Sequence, residues 1–136
     1  MIEAPRIYPT FRFRNAASMI DWLEKAFGFT VRAKYMDGDK VGHAELALGS
    51  SIIMCGDERD DAYGATVGSA SGQGGKSLYV ASDDIDTLYS RAEAAGAVIE
   101  QGIVERDYGS REFICRDPEG NVWCFGTYWP KVTDEA

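Results

Sequence analysis

Few side chains in this sequence could do chemistry, and they are sparsely placed. His43 is the only histidine. Glu45 follows it two residues later, and the pair alternates with Ala44, Leu46 and Leu48. Successive side chains of an extended chain point to opposite faces, so His43 and Glu45 share the less apolar face. A carboxylate beside an imidazole can orient it as a general base, or the two can clamp a ligand by hydrogen bonds. A solvated histidine on an exposed strand is the alternative. Arg111 could hold a carboxylate or phosphonate through its planar fork, or be taken up by an ion pair with Glu112, Asp107 or Glu45. Arg12 presents the same choice. Cys124 could act as a thiolate nucleophile if a base lay beside it. No sequence neighbour supplies one, so the plainer expectation is a buried, inert thiol.

Cys55 and Cys115 complete an odd set with no C-x-x-C pair, which argues against a disulfide framework or a structural zinc site. Reduced thiols, and no apolar signal core in Met1 to Arg14, lead to the expectation of a cytoplasmic protein. The run Asp57-Glu58-Arg59-Asp60-Asp61 either lines a pocket mouth and draws in cations or is a solvated loop. Gly72 to Gly75 are no phosphate loop, because no G-K-[ST] follows and no helix starts there.

These residues need elements to position them, and 136 residues with 45% apolar content can bury one core. A formal charge of -8 repels phosphate backbones and anionic lipid, so neither nucleic acid nor membrane is an expected partner. No apolar run approaches the roughly 20 residues of a membrane helix. Ile7 to Phe13 alternates as a strand, with Ile7, Pro9, Phe11 and Phe13 on one side; Pro9 suggests an edge or a bulge. Asn15 caps a helix whose stripe is Met19, Leu23 and Phe27, and Gly28 ends it. Three strands follow, about 30–36, 41–48 and 51–55, with Asp37-Gly38 a hairpin turn.

From Asp57 to Gly75 no period survives, and a long loop is predicted. Then the order repeats: a strand over 77–81, a helix capped by Asp83 or Asp84 with Ile85, Leu88, Ala92 and Ala95 on its stripe, Gly96, and strands near 97–105, 110–116 and 121–128. Asp117-Pro118-Glu119-Gly120 is a turn. The repeat is the strongest signal in the chain. Carried in register from Gly28 and Gly96, it sets Arg111 opposite His43, so both are expected to face the same way. The fold class is α+β: two βαβββ repeats, 4–56 and 76–128, joined by a linker over 57–75 and followed by a polar tail over 129–136, in one domain over 1–136. Each helix covers one sheet face, and the uncovered faces are expected to form a curved mixed sheet with a concave pocket.

Tyr8-Pro9-Thr10-Phe11-Arg12-Phe13, Ala26-Phe27-Gly28-Phe29, Tyr108-Gly109-Ser110-Arg111, Asp117-Pro118-Glu119-Gly120-Asn121 and Trp123-Cys124-Phe125-Gly126-Thr127-Tyr128 together resemble the vicinal oxygen chelate superfamily of glyoxalases, bleomycin-resistance proteins and extradiol dioxygenases. Within it the chain looks most like the PhnB-like or bleomycin-resistance-like branch. The resemblance implies the glyoxalase/bleomycin-resistance fold and metal ligands on the hollow side of strands one, four, five and eight. Those columns fall on Tyr8, near Met54, near Ser77 and on Cys124, a poor set for a catalytic divalent ion. No metal and no cofactor are therefore expected.

By alternation the pocket is lined by Tyr8, Thr10, Ile52, Met54, Tyr79 and Cys124, with His43 and Arg111 at its rim. Aromatic rings and hydroxyls suit a flat organic ligand; side chains that simply fill the space are the alternative. The expected function is binding, including antibiotic sequestration, of a small organic molecule in a metal-free pocket. The alternatives are an enzyme of the superfamily (a lyase, isomerase or dioxygenase with an atypical metal site) and a regulatory module with a vestigial pocket. His43, Glu45 and Cys124 are the only catalytic candidates. The resemblance implies a homodimer.

Overall fold

The computed structural model describes residues 4–71 and 74–132. Positions 72 and 73 of the expected linker and 133–136 of the expected tail lie outside the described residues. The chain divides after Ser71 into two compact units, and each is one βαβββ repeat. Among the described residues no helix is long and apolar enough to cross a membrane.

The first unit runs β1 (Thr10–Phe13), α1 (Ala16–Phe27), β2 (Thr30–Asp37), β3 (Lys40–Leu48) and β4 (Ser51–Asp57). Its sheet order is β1-β4-β3-β2, with β1 parallel to β4 and the other pairs antiparallel. Local chemistry fixes the helix. The Asn15 side chain accepts from Ser18 N at 3.1 Å, and Gly28 closes the other end at φ 85°, a left-handed turn that suits glycine. Met19, Ile20, Leu23 and Phe27 form the buried stripe. Beneath it lie Phe13, Ala44, Leu46, Ile53 and Cys55, all buried.

The second unit repeats the plan with β5 (Leu78–Ala81), α3 (Ile85–Ala94), β6 (Val98–Glu105), β7 (Arg111–Arg116) and β8 (Val122–Gly126), in the order β5-β8-β7-β6. Asp84 is the cap, accepting from Thr87 N at 3.3 Å. Phe113, Cys115, Trp123 and Phe125 are fully buried on the helix side. Tyr89 of α3 meets Phe113 edge-on, with ring centroids 5.1 Å apart. Asp117, 3% exposed, organises the turn into β8. Its carboxylate accepts from Glu119 N, Asn121 N and Trp123 Nε1, the last at 3.0 Å.

Three expectations need correction. Ile7 lies outside β1 and is 88% exposed, because pairing with β4 begins only at Pro9 O, which accepts from Met54 N at 2.9 Å. Asp57 is not linker. It ends β4 and is buried, with one oxygen taking Ala16 N at 2.9 Å and the other Val41 N at 2.7 Å. The linker also contains a helix, α2 (Ala62–Val67), capped by Asp61 and burying none of its residues. Without an apolar face it leaves no periodic trace in the sequence.

Candidate functional site

Each sheet has one face under its helix and one face open, and the cross-strand register says which residues stand on the open side. In the first unit Thr10 pairs with Met54 and Met54 with Glu45, while Ile52 pairs with Ala47. Thr10, Glu45, Ile52 and Met54 therefore share one face, together with Arg12 and His43. His43 Nε2 lies 3.0 Å from Glu45 Oε2, and the Tyr35 ring lies alongside the imidazole with centroids 6.2 Å apart. Arg32 bonds the other Glu45 oxygen. The contact with His43, helped by Arg32 and opposed by desolvation, lowers the Glu45 pKa. Tyr8 sits half-buried before β1, its carbonyl accepting from Thr10 Oγ1 at 3.3 Å.

The β1 end of this face is tied to the linker. Arg12 bonds Asp61 through two nitrogens, at 3.3 and 3.2 Å, and its guanidinium lies 4.7 Å from the centroid of the Tyr63 ring. Glu58 N donates to Phe13 O at 2.8 Å and Arg14 to Ala70 O at 3.2 Å. Residues 58–70 thus form a strap held by polar ties. A hollow of about 350 Å³ along this strap is lined by its own residues, Glu58, Arg59 and Asp60 among them.

In the second unit Tyr79 pairs with Cys124 and Cys124 with Ile114, while Gly126 pairs with Glu112. This open face carries a hollow of about 380 Å³ bounded by Tyr79, Tyr108, Glu112, Ile114, Cys124 and Tyr128. The Tyr79 hydroxyl donates to Tyr128 O at 2.6 Å. Glu112 accepts from the Tyr108 hydroxyl at 2.8 Å and from Arg106 Nε at 3.1 Å. Burial works against the Glu112 charge, yet donors from Tyr108, Ser110 and Arg106 outweigh it and lower its pKa. The bond to Glu112 in turn raises the Tyr108 pKa. Cys55 and Cys115 are inert by contrast: burial first, then a nearby aspartate, pushes each thiol up to about 12.

Arg111 does not face the same way as His43. It stands on the helix side, bonded to Asp86 of α3 at 2.7 Å and to Glu105, and both contacts raise its pKa. Neither partner is one that the sequence had suggested. The reason is a slip of one residue. Ungapped counting from Gly28 and Gly96 aligns His43 with Arg111, but the strand pairs align Met54 with Cys124 and Glu45 with Ile114. His43 then corresponds to Glu112. The β6–β7 connection over 106–110 is longer than the tight turn at Gly38, and one residue reverses every side chain of a strand. That slip concealed Glu112, and with it Tyr108 and Arg106.

The structure also pairs Thr10 with Met54 and Tyr79 with Cys124, whereas Tyr8 and Ser77 precede their strands. Neither the hydroxyl and thioether of the first pair nor the phenol and thiol of the second fit a hard divalent ion, which needs several carboxylate or imidazole donors. Among the described residues no three His, Cys, Asp or Glu side chains are grouped so as to hold a metal.

Comparison with known proteins agrees with this architecture. A family model described as "Glyoxalase/Bleomycin resistance protein/Dioxygenase superfamily" matches residues 8–125. An uncharacterized protein of Mycobacterium bovis is 27% identical over 125 residues, spanning 90% of this chain and 82% of its own. The crystal structure of TioX from Micromonospora sp. ML1 superposes with a TM-score of 0.76 at 28% identity, covering 93% of this chain and 100% of that one. A glyoxalase/bleomycin resistance protein/dioxygenase family enzyme from Burkholderia phytofirmans PsJN, at 24% identity and a TM-score of 0.66, covers 88% and 94% and shares the fold.

Proposed function

The chain belongs to the glyoxalase/bleomycin resistance protein/dioxygenase superfamily, and from that premise we propose that it binds a small organic molecule on the open face of its second unit. The observation that carries this reading is the hollow itself, with tyrosine rings and apolar side chains on most of its wall and one carboxylate among them. Rings give contact area at low conformational cost, and the polar groups set orientation. Sequestration of an aromatic antibiotic is the role this suits, in keeping with a bleomycin-resistance-like or PhnB-like branch. The other predicted contact residues, Thr10, His43, Ile52 and Met54, stand on the first unit's open face and are proposed only as a secondary surface.

The test is a thermal-shift screen of drugs and metabolites, with each hit located by amide shifts at Ile114 and Cys124. A ligand at about a hundredfold excess over its Kd stabilises by ~2.7 kcal/mol. Silence across a broad library would mean a vestigial hollow and end the proposal.

The His43–Glu45 contact supports a second reading, an enzyme that moves a proton with His43 as base and Glu45 as its orienting partner. Metal analysis of the purified protein bears on both readings. A stoichiometric divalent ion would overturn the metal-free pocket and favour the enzyme.

A further inference from the structure

The second unit's hollow has a charged wall, and the charge is the informative part. A guest held by apolar contact alone would gain nothing from Glu112, whose side chain is only 14% exposed and whose desolvation opposes binding. The carboxylate is nonetheless kept ionised by its donors. Around it stand Tyr79, Tyr108 and Tyr128, whose ring faces carry the negative lobe of the aromatic quadrupole. Carboxylate and ring faces both select positive charge.

What Glu112 prefers is visible in what it holds. One oxygen takes the Tyr108 hydroxyl and the other the Arg106 guanidinium. Arg106 meets Glu112 from the β6–β7 connection with 36% of its side chain exposed, so it can leave without unfolding a strand. Its other side-chain tie is a long one, Nη2 to Gln101 Oε1 at 3.3 Å. The arrangement is also incompletely satisfied, since Gln101 Nε2 is buried with no partner.

We propose that the hollow takes an organic cation, an ammonium or amidinium on an aromatic or alkyl body, with its charge on Glu112 and its body among Tyr79, Tyr108 and Tyr128, and that Arg106 is a built-in competitor for the same carboxylate. This rests on the reading of the hollow as the ligand site. It adds a ligand class and a residue that opposes binding, so two substitutions move affinity in opposite directions. Glu112→Gln removes the charge the ligand needs; Arg106→Gln removes the side chain that blocks it.

The experiment is an NMR titration at low salt and neutral pH with benzylamine, which is charged, and with benzyl alcohol, its neutral counterpart, following the Ile114 and Cys124 amides. Benzylamine binds about tenfold tighter than benzyl alcohol. In Glu112→Gln that preference disappears. In Arg106→Gln benzylamine binds severalfold tighter and benzyl alcohol is unchanged. Because the Glu112 pKa is lowered, the preference holds down through ordinary carboxylate values, about 4.3, and is lost only as the pH falls through the depressed pKa. Equal binding of the two compounds, or weaker benzylamine binding in Arg106→Gln, overturns the cation and leaves the hollow standing. Shifts at these amides from neither compound overturn the hollow and the cation together.

Discussion

The two units have one topology and two chemistries. On the first open face the cross-strand row is Thr10, Met54 and Glu45; on the second the corresponding row is Tyr79, Cys124 and Ile114. Around the first row stand Arg12, Arg32 and His43, with the linker strap tied to its β1 end. Around the second stand rings and one carboxylate, with a hollow between them. The βαβββ order decides which positions face outward. Residue identity at those positions decides whether the face is tied to its own polypeptide, as on the first sheet, or carries a ring-lined hollow, as on the second.

The helix sides differ in the same way. Asp57, three residues after Met54, joins α1 and β3 through two buried bonds to its carboxylate. Thr127, three residues after Cys124, makes a single side-chain bond, accepting from Arg111 N at 3.0 Å. The largest effect is expected here. Asp57→Ala leaves two buried donors without partners and costs about 3 kcal/mol in urea unfolding, while Thr127→Val costs about 1 kcal/mol. Equal costs would mean that the halves are tied alike and the contrast is only on the surface.

A second pair of sites separates stability from binding. A Cβ at Gly56 would lie 2.7 Å from Gly42 O, a backbone atom that cannot step aside. A Cβ at Gly126, the corresponding position, would lie 2.5 Å from the Tyr79 hydroxyl and 2.8 Å from Glu112 Cγ, so both side chains must shift while the backbone need not. Gly56→Ala is expected to destabilise by about 2 kcal/mol, as an overpacked core site does. Gly126→Ala is expected to cost less stability than Gly56→Ala, to break the Tyr79–Tyr128 bond and to lose affinity for any ligand of the hollow. Denaturation and the titration above read the two effects separately. Undiminished binding in Gly126→Ala would place the ligand away from Tyr79 and Glu112.

What was legible in the sequence follows from how local each signal is. Asn15 and Gly28 bracket α1 because caps act within one turn, and Asp37-Gly38 marks its hairpin for the same reason. Alternation placed Cys124 opposite Trp123 and Phe125, and Tyr79 opposite Leu78 and Val80, on the correct faces. Arg111 failed because its face depends on the length of a hairpin connection, which alternation within a strand cannot report. Strap helix α2 was invisible because it is short, carries the poor helix former Gly64 and buries nothing. The partnership of Arg12 with Asp61 and Tyr63 spans about fifty positions and has no sequence signal.

The smallest effect tests what holds the strap to the β1 end of the first face. Since α2 buries no residue, the strap depends on polar ties that water and salt can replace. Arg12→Gln should speed amide exchange over 62–67 severalfold, and added salt should do the same to the unmodified protein. Exchange in the second unit should not change. The pH arm has a definite sign. Arg12 first, then the bond from Gly64 N, lowers the Asp61 pKa, so its contribution is full above the ordinary value of about 3.9 and is lost as the pH falls through the depressed one. Acidification to that range should loosen the strap while the bonds from Glu58 N to Phe13 O and from the Arg14 guanidinium to Ala70 O remain. If Arg12→Gln and salt both leave 62–67 unchanged, those two bonds to backbone carbonyls hold the strap. The strap is then held by these bonds and by chain connectivity rather than by the Arg12–Asp61 pair, and the first unit's difference from the second lies in the linker instead of the sheet.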